Sequence, residues 1–234
     1  MISIQNITFG YKKGQPVLSD FSLEFQKSGV YGLLGKNGTG KSTLLYIMMG
    51  LLHPQRGNVS VNGISTTLRN PEVLRHMFLV PEEYDLPPVP LASYVQALKP
   101  FYPNFSEDIL KRCLENFDMK YDIDLGALSM GQKKKVYMSV AIASCTRYLL
   151  MDEPTNGLDI LSKSQFGKVL AEGMTSDRIV IISTHQVHDV ERLLNYVCIV
   201  DSNRILLNEQ LPEDGEPVNL EELFIKTLLG HETV

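Results

Sequence analysis

The chain has 234 residues, 44% of them hydrophobic, which is ample for a core, and its 27 acidic against 22 basic residues give a net charge of −5 with histidine neutral. No long basic block is present that could track a phosphate backbone, so nucleic acid is not an expected partner. Three unevenly spaced cysteines, Cys113, Cys145 and Cys198, suggest neither a disulfide framework nor a metal cluster and fit a reduced cytosolic setting.

The opening segment, Met1 to Ile7, alternates apolar and polar residues like a strand, which extends over Ile2–Phe9, and lacks the basic start and apolar stretch of a signal peptide. No export signal is expected. No run of about 18 or more apolar residues follows, so the chain is not expected to span a bilayer, and a membrane role would need a partner.

Val30 to Leu34 reads as a short buried strand. The next eight residues, Gly35-Lys36-Asn37-Gly38-Thr39-Gly40-Lys41-Ser42, fit the pattern G-x-x-x-x-G-K-[ST]. Glycines let backbone N–H groups converge on phosphate oxygens, the lysine adds a point charge, and the hydroxyl of Ser42 can reach Mg²⁺. A helical pattern from Ser42 to Met49 begins where the loop ends, so the positive end of a helix dipole faces the bound phosphates. The chain is expected to bind a nucleotide.

A β-rich region reaches about Val61, and the breaker-rich Asp85 to Pro90 then marks a change of character. Helical patterns at Leu91–Leu98 and Glu107–Phe117 follow, the second with Ser106 as N-cap and Glu107 and Asp108 in its first turn. This reads as a helical insertion in an α/β core. Lys133, Lys134 and Lys135, on the helix after Leu128-Ser129-Met130-Gly131-Gln132, read as a solvated face.

Beyond the insertion, helices alternate with apolar strands at Tyr148–Met151, Ile179–Ser183 and Val197–Val200, the pattern of a largely parallel sheet. The first of these strands delivers Asp152 and Glu153 at its C-terminal edge. Asp152 can there hold Mg²⁺ beside Ser42, and Glu153 can orient or deprotonate a water attacking a γ-phosphate. The tail, Asn219 to Leu229, has leucines and Phe224 at helical spacing and is expected to pack back onto the domain.

Taken together, and in this order along essentially the full chain, these segments resemble the nucleotide-binding domain of ABC ATPases. Gly35 to Ser42 resembles the Walker A loop, Leu128 to Gln132 the signature, Tyr148 to Glu153 Walker B with its catalytic glutamate, Pro154 to Asp159 the D-loop, and Ser183-Thr184-His185 the switch histidine. The resemblance implies an α/β P-loop fold: a RecA-like parallel-sheet core over 1–84 and 140–234, with an N-terminal antiparallel β region, and a helical signature subdomain over 85–139. It implies Tyr11 as the aromatic that stacks on adenine, with Phe9 able to share that surface or Tyr11 only to pack. ATP would be held by Gly35 to Thr43 of one subunit and by Ser129, Gly131, Gln132 and Asp159 of a second, with Mg²⁺ at Ser42, Glu82 and Asp152, and Lys41, Glu153 and His185 acting in hydrolysis. His53, His76, His188 and His231 gain no role from it.

Two departures stand out. Met130 occupies the first glycine position of a signature that usually reads L-S-G-G-Q, and Glu82 stands where the family more often has glutamine. The hydroxyl of Ser129 and the close approach at Gly131 are retained, and Glu82 still offers an oxygen ligand of altered metal affinity. Such a glutamate occurs in some exporter ATPases. Phe101 to Phe105 and Leu220 to Phe224 resemble segments of bacterial ABC exporter ATPases whose permease is a separate chain, although each is equally explained by core packing. The expected partners are therefore a second ATPase subunit, identical or related, and a separate permease that holds the chain at the cytoplasmic face of the cell membrane. The alternative is a soluble ABC ATPase acting on a ribosome or another assembly.

Overall fold

Alternation along the central strands shapes the fold, because successive side chains of a strand leave on opposite faces of a sheet. The computed structural model describes residues 1–201, 204–212 and 219–231, excluding the His231 side chain; the remainder of the expected 140–234 segment lies outside the described residues. In chain order the elements are β1 (Ile2–Phe9), β2 (Leu18–Phe25), β3 (Gly29–Leu34), α1 (Lys41–Met48), β4 (Arg56–Val61), β5 (Ile64–Ser65), α2 (Pro71–Leu74), β6 (Met77–Val80), α3 (Leu91–Leu98), α4 (Glu107–Asn116), α5 (Met130–Ala143), β7 (Tyr148–Asp152), α6 (Ile160–Glu172), β8 (Ile179–Thr184), β9 (Tyr196–Asp201), β10 (Arg204–Gln210) and α7 (Leu220–His231).

Among the described residues two sheets form. An antiparallel one has order β2-β1-β4-β5, and a second has order β10-β9-β3-β8-β7-β6, parallel throughout except for the antiparallel β9–β10 edge. Tyr31, Leu33, Tyr148, Leu150, Ile179 and Ile181 face the core shared with β1, β2 and α1. Their neighbours Val30, Leu34, Leu149, Met151, Val180 and Ile182 face the core shared with α3 to α6. One period-two pattern thus serves two apolar layers, and burying both faces explains why these strands read as continuous apolar runs.

The register aligns Leu34 with Thr184 and Asp152 with Ser183. The C-terminal ends of β3, β7 and β8 therefore meet at one edge, the crevice where parallel α/β sheets place ligands. The expected elements at Leu91–Leu98 and Glu107–Phe117 form as α3 and α4, and Ser106 caps α4 by accepting from Ile109 N–H at 3.2 Å. The tail packs back as expected, with Leu220 and Leu228 buried.

Arg178 sits between layers with 1% exposure. Its guanidinium donates to Ile142 O at 3.0 Å and Ala141 O at 3.3 Å near the end of α5, and to Gly173 O at 2.7 Å just after α6. Carbonyls at helix C-termini lack intrahelical donors, and the negative end of the dipole favours a cation there. Burial pulls this guanidinium down to about 10.

Candidate functional site

The loop between β3 and α1 folds around its glycines. Gly40 has φ 97°, which excludes most L side chains, and a Cβ on Gly35 would lie 2.5 Å from Val200 O and 2.7 Å from Thr39 Oγ1. Thr39 Oγ1 donates to Lys36 O at 2.9 Å, closing the loop. Lys41 is 6% exposed and donates Nζ to Gly35 O at 2.8 Å and Lys36 O at 3.1 Å. Burial lowers the ammonium's pKa, opposed by the carboxylates of Glu153, Asp152 and Glu82.

Opposite the loop, β7 ends in two carboxylates with different surroundings. Asp152, 1% exposed, accepts from the Ser183 hydroxyl and is hydrogen-bonded by Ser42. Burial raises its pKa, and the two hydroxyls oppose the rise. Glu153 has φ 45° and is also buried. Its Oε2 accepts from Thr184 Oγ1 at 2.9 Å and its Oε1 from His185 N–H at 3.1 Å, with His185 Nδ1 at 2.8 Å from the same oxygen, donating in the Nδ1–H tautomer. Lys41 Nζ lies 3.9 Å from Oε1. A positioned carboxylate facing a phosphate loop is the arrangement general-base activation of water requires.

Val17, Asn37, Gly38, Gly40 to Thr43, Glu82, Glu153, Asn156 and His185 line one cleft of about 390 Å³. It therefore unites the phosphate loop with three of the expected functional side chains, Glu82, Glu153 and His185. The donor set fits Mg²⁺: the Ser42 hydroxyl and the buried Asp152 carboxylate share a hydrogen bond, and Glu82 adds an oxygen at the rim, its Oε1 accepting from Asn156 Nδ2 at 2.9 Å. Mg²⁺ is held in this way by one or two carboxylates, with substrate phosphates completing the shell.

Tyr11 sits at the margin, 64% exposed, with its hydroxyl 3.1 Å from Thr43 Oγ1. It meets Phe9 edge-on at 5.1 Å, and Phe9 itself is buried, so only Tyr11 offers an open ring face.

The signature residues are not in this cleft. Ser129 and Gln132 form a reciprocal capping box at the start of α5: Ser129 Oγ accepts from Gln132 N–H at 3.3 Å, and Gln132 Oε1 accepts from Ser129 N–H at 3.0 Å. Met130, 67% exposed, and Gly131 open instead on a second cavity of about 250 Å³ with Glu82, Glu83, Tyr84, Lys134, Asn156 and Gly157. Asp159 also lies outside the cleft. It caps α6, accepting from the backbone N–H and the hydroxyl of Ser162 at 2.8 Å each, bonds that lower its pKa.

The expectation of a solvated lysine face is overturned. Lys134 is 6% exposed and donates to Glu153 O at 2.9 Å and Asn156 O at 2.7 Å. Lys133 and Lys135 are largely covered and lie 3.5 Å from Asp85 and 3.9 Å from Asp159. The turn after β7 presents carbonyls to α5, and that tertiary contact outweighs the solvation of one ammonium. Val17, Lys134 and Asn156 are site-forming residues that the sequence reading does not assign to the site. Val17 and Lys134 carry no local signal, since a valine in a loop and a lysine in a lysine row look ordinary.

Residues 18–156 match the family described as ABC transporter. The lantibiotic transport ATP-binding protein SrtF of Streptococcus pyogenes is 28% identical over 237 residues, covering 98% of each chain. The Nod factor export ATP-binding protein I of Cupriavidus pinatubonensis is 30% identical over 196 residues, covering 80% of this chain and 60% of that protein. Among solved structures, an ATP-binding subunit of an ABC transporter superposes with TM-score 0.83 at 24% identity, covering 97% of this chain and 99% of that one, which establishes the shared fold.

Proposed function

Because the chain belongs to the ABC transporter family, as an ATP-binding and ATP-hydrolysing domain, we propose that two copies, or this chain and a related one, close around ATP and drive a separate membrane permease in export. The observation that carries the two-subunit reading is the separation of signature from phosphate loop. Ser129, Met130 and Gly131 are not among the residues lining the cleft that Lys41 and Glu153 share, and Met130 and Gly131 line an adjoining cavity instead. A second chain would supply its Ser129, Gly131, Gln132 and Asp159 to the nucleotide bound here, and Tyr11 would stack on the adenine.

Within the cleft, Gly35 to Thr43 hold the phosphates and Lys41 turns from its loop carbonyls to the β- and γ-phosphates. Ser42, Asp152 and Glu82 would hold Mg²⁺, which when bound neutralises charge on the phosphate oxygens. Glu153 takes a proton from the water that attacks the γ-phosphorus as the bond to the ADP oxygen breaks, and His185 fixes that carboxylate and the released phosphate. Loss of the shared ligand lets the subunits part, so binding closes the pair and hydrolysis reopens it.

In this reading the insertion near Asp85 to Asp124, within the helical signature subdomain over 85–139, receives the permease. Leu98 at the end of α3, with Phe101 and Tyr102 after it, borders a largely apolar groove of about 390 Å³ whose other wall is Pro71, Leu74 and Arg75, with Phe101 67% exposed. A cytoplasmic helix of the permease would lie there. No helix among the described residues is long and apolar enough to cross a membrane; in this reading the permease holds the chain at the membrane. The names of the relatives from Streptococcus and Cupriavidus, lantibiotic transport and Nod factor export, support transport and export.

The test is a pull-down of the tagged Glu153→Gln chain with ATP from gently solubilised membranes of its host, with Lys41→Ala as control and bound proteins identified by mass spectrometry. A multi-span protein in near-equal amount is the expected result. Ribosomal or other soluble partners alone would overturn the transport reading.

A further inference from the structure

Lys134 has a place the hydrolytic scheme does not use. It lies in the second turn of α5, yet its side chain is buried and its ammonium donates to two backbone carbonyls, Glu153 O at 2.9 Å and Asn156 O at 2.7 Å. An ammonium leaves water at a cost unless acceptors converge on it, and here the acceptors belong to the turn that carries Glu153. That turn is itself unfavourable: Glu153 stands at φ 45°, a region that a residue with a Cβ enters only when its surroundings hold it. Asn156 extends the link, because its Nδ2 donates to Glu82 Oε1 at 2.9 Å. Glu82, Gly131, Lys134 and Asn156 line the same small cavity.

We propose that Lys134 is a positioning residue for hydrolysis: by gripping the carbonyls of Glu153 and Asn156 it sets the Glu153 carboxylate against the phosphate cleft and ties it to the signature helix and to Glu82. The inference rests on Glu153 as the base. Its consequence is mechanical. Helix α5 starts at the signature, so a nucleotide of the opposite subunit pressing on Ser129 and Gly131 moves a rigid helix whose Lys134 reaches the hydrolytic turn of its own subunit. Its ammonium also sits within electrostatic reach of Glu82, Glu153 and Asp152, offsetting the charge that Glu82 adds where an amide is more usual.

The experiment compares full-length wild type, Lys134→Met, Lys134→Gln and Glu153→Gln in ATP turnover over a range of ATP concentrations, in affinity for a fluorescent ATP analogue, and in urea midpoint. Lys134→Met is expected to lower kcat tenfold or more while KM for ATP and analogue affinity stay within twofold. Lys134→Gln, which keeps an amide donor of shorter reach, recovers part of the loss. A fall in kcat smaller than fivefold in the methionine variant, or a parallel fall in analogue affinity, overturns the proposal. If Lys134→Met does not fold, Lys134→Gln decides: kcat down more than twofold at unchanged KM supports it, and a smaller change refutes it. Unimpaired turnover in Glu153→Gln removes the base assignment itself, whereas an inactive Glu153→Gln beside an active Lys134→Met removes this inference alone.

Discussion

Replacing Glu153 by glutamine separates chemistry from packing more sharply than any other change at this site. Glu153 Oε1 accepts from His185 N–H and faces Nδ1, and Oε2 accepts from the Thr184 hydroxyl, which itself accepts from Gln186 N–H at 2.9 Å. A glutamine with its carbonyl at the Oε1 position keeps the His185 contacts. Its amide then donates to the free lone pair of Thr184 Oγ1, once that hydroxyl stops donating. All partners remain, and what is lost is the charge in those bonds and the approach of Lys41 at 3.9 Å. Removing a buried carboxylate also relieves its desolvation, so the net change in unfolding free energy should be within about 1 kcal/mol. Loss of a general base costs roughly 10²–10⁴ in rate, or about 3–5 kcal/mol of barrier. Phosphate release at saturating ATP, urea denaturation and light scattering with ATP measure the three consequences: near-silent turnover, near-native stability and an accumulated nucleotide-bound dimer. Turnover within threefold of wild type in the folded variant would refute the assignment of Glu153.

Other changes address the remaining parts. Lys41→Ala removes a side-chain cation directed into the phosphate loop and should weaken binding of a fluorescent ATP analogue at least about tenfold, by the usual strength of a charge-assisted contact; unchanged affinity would refute its phosphate contact. Arg178→Met leaves three carbonyls without their donor and should cost about 2–4 kcal/mol in urea unfolding, after allowing for the relief of a buried charge; a loss below about 0.5 kcal/mol would show that water or relaxation replaces it. Burial pushes the thiols of Cys113 and Cys198 up to about 12, so both stay protonated at pH 8 and sheltered from alkylation. Native protein should take up label at Cys145 alone, detected by peptide mapping, and all three cysteines should react after denaturation.

Much of this protein is written locally. The phosphate loop is legible because its glycines must adopt left-handed or crowded backbone at fixed spacing, and Asp152 and Glu153 are legible because a buried strand ends on them. Strands β7, β8 and β9 announce themselves by unbroken apolar runs, since both faces of each are covered. The seven residues of β10 and the four of β6 were less visible: one is a half-exposed edge strand, and the other is too short for its pattern to speak.

What the sequence by itself determined, then, are the features set by neighbours along the chain: caps, glycine conformations, strand faces and the identity of the phosphate-binding and carboxylate groups. Only the tertiary structure decided that Lys134 is buried while its row looks solvated, that Met130 and Gly131 line a cavity other than the phosphate cleft, and that Thr184 and His185 hold Glu153. The reason is physical: a lysine's burial depends on which distant carbonyls turn toward it, and a carboxylate's role depends on donors that arrive from other strands.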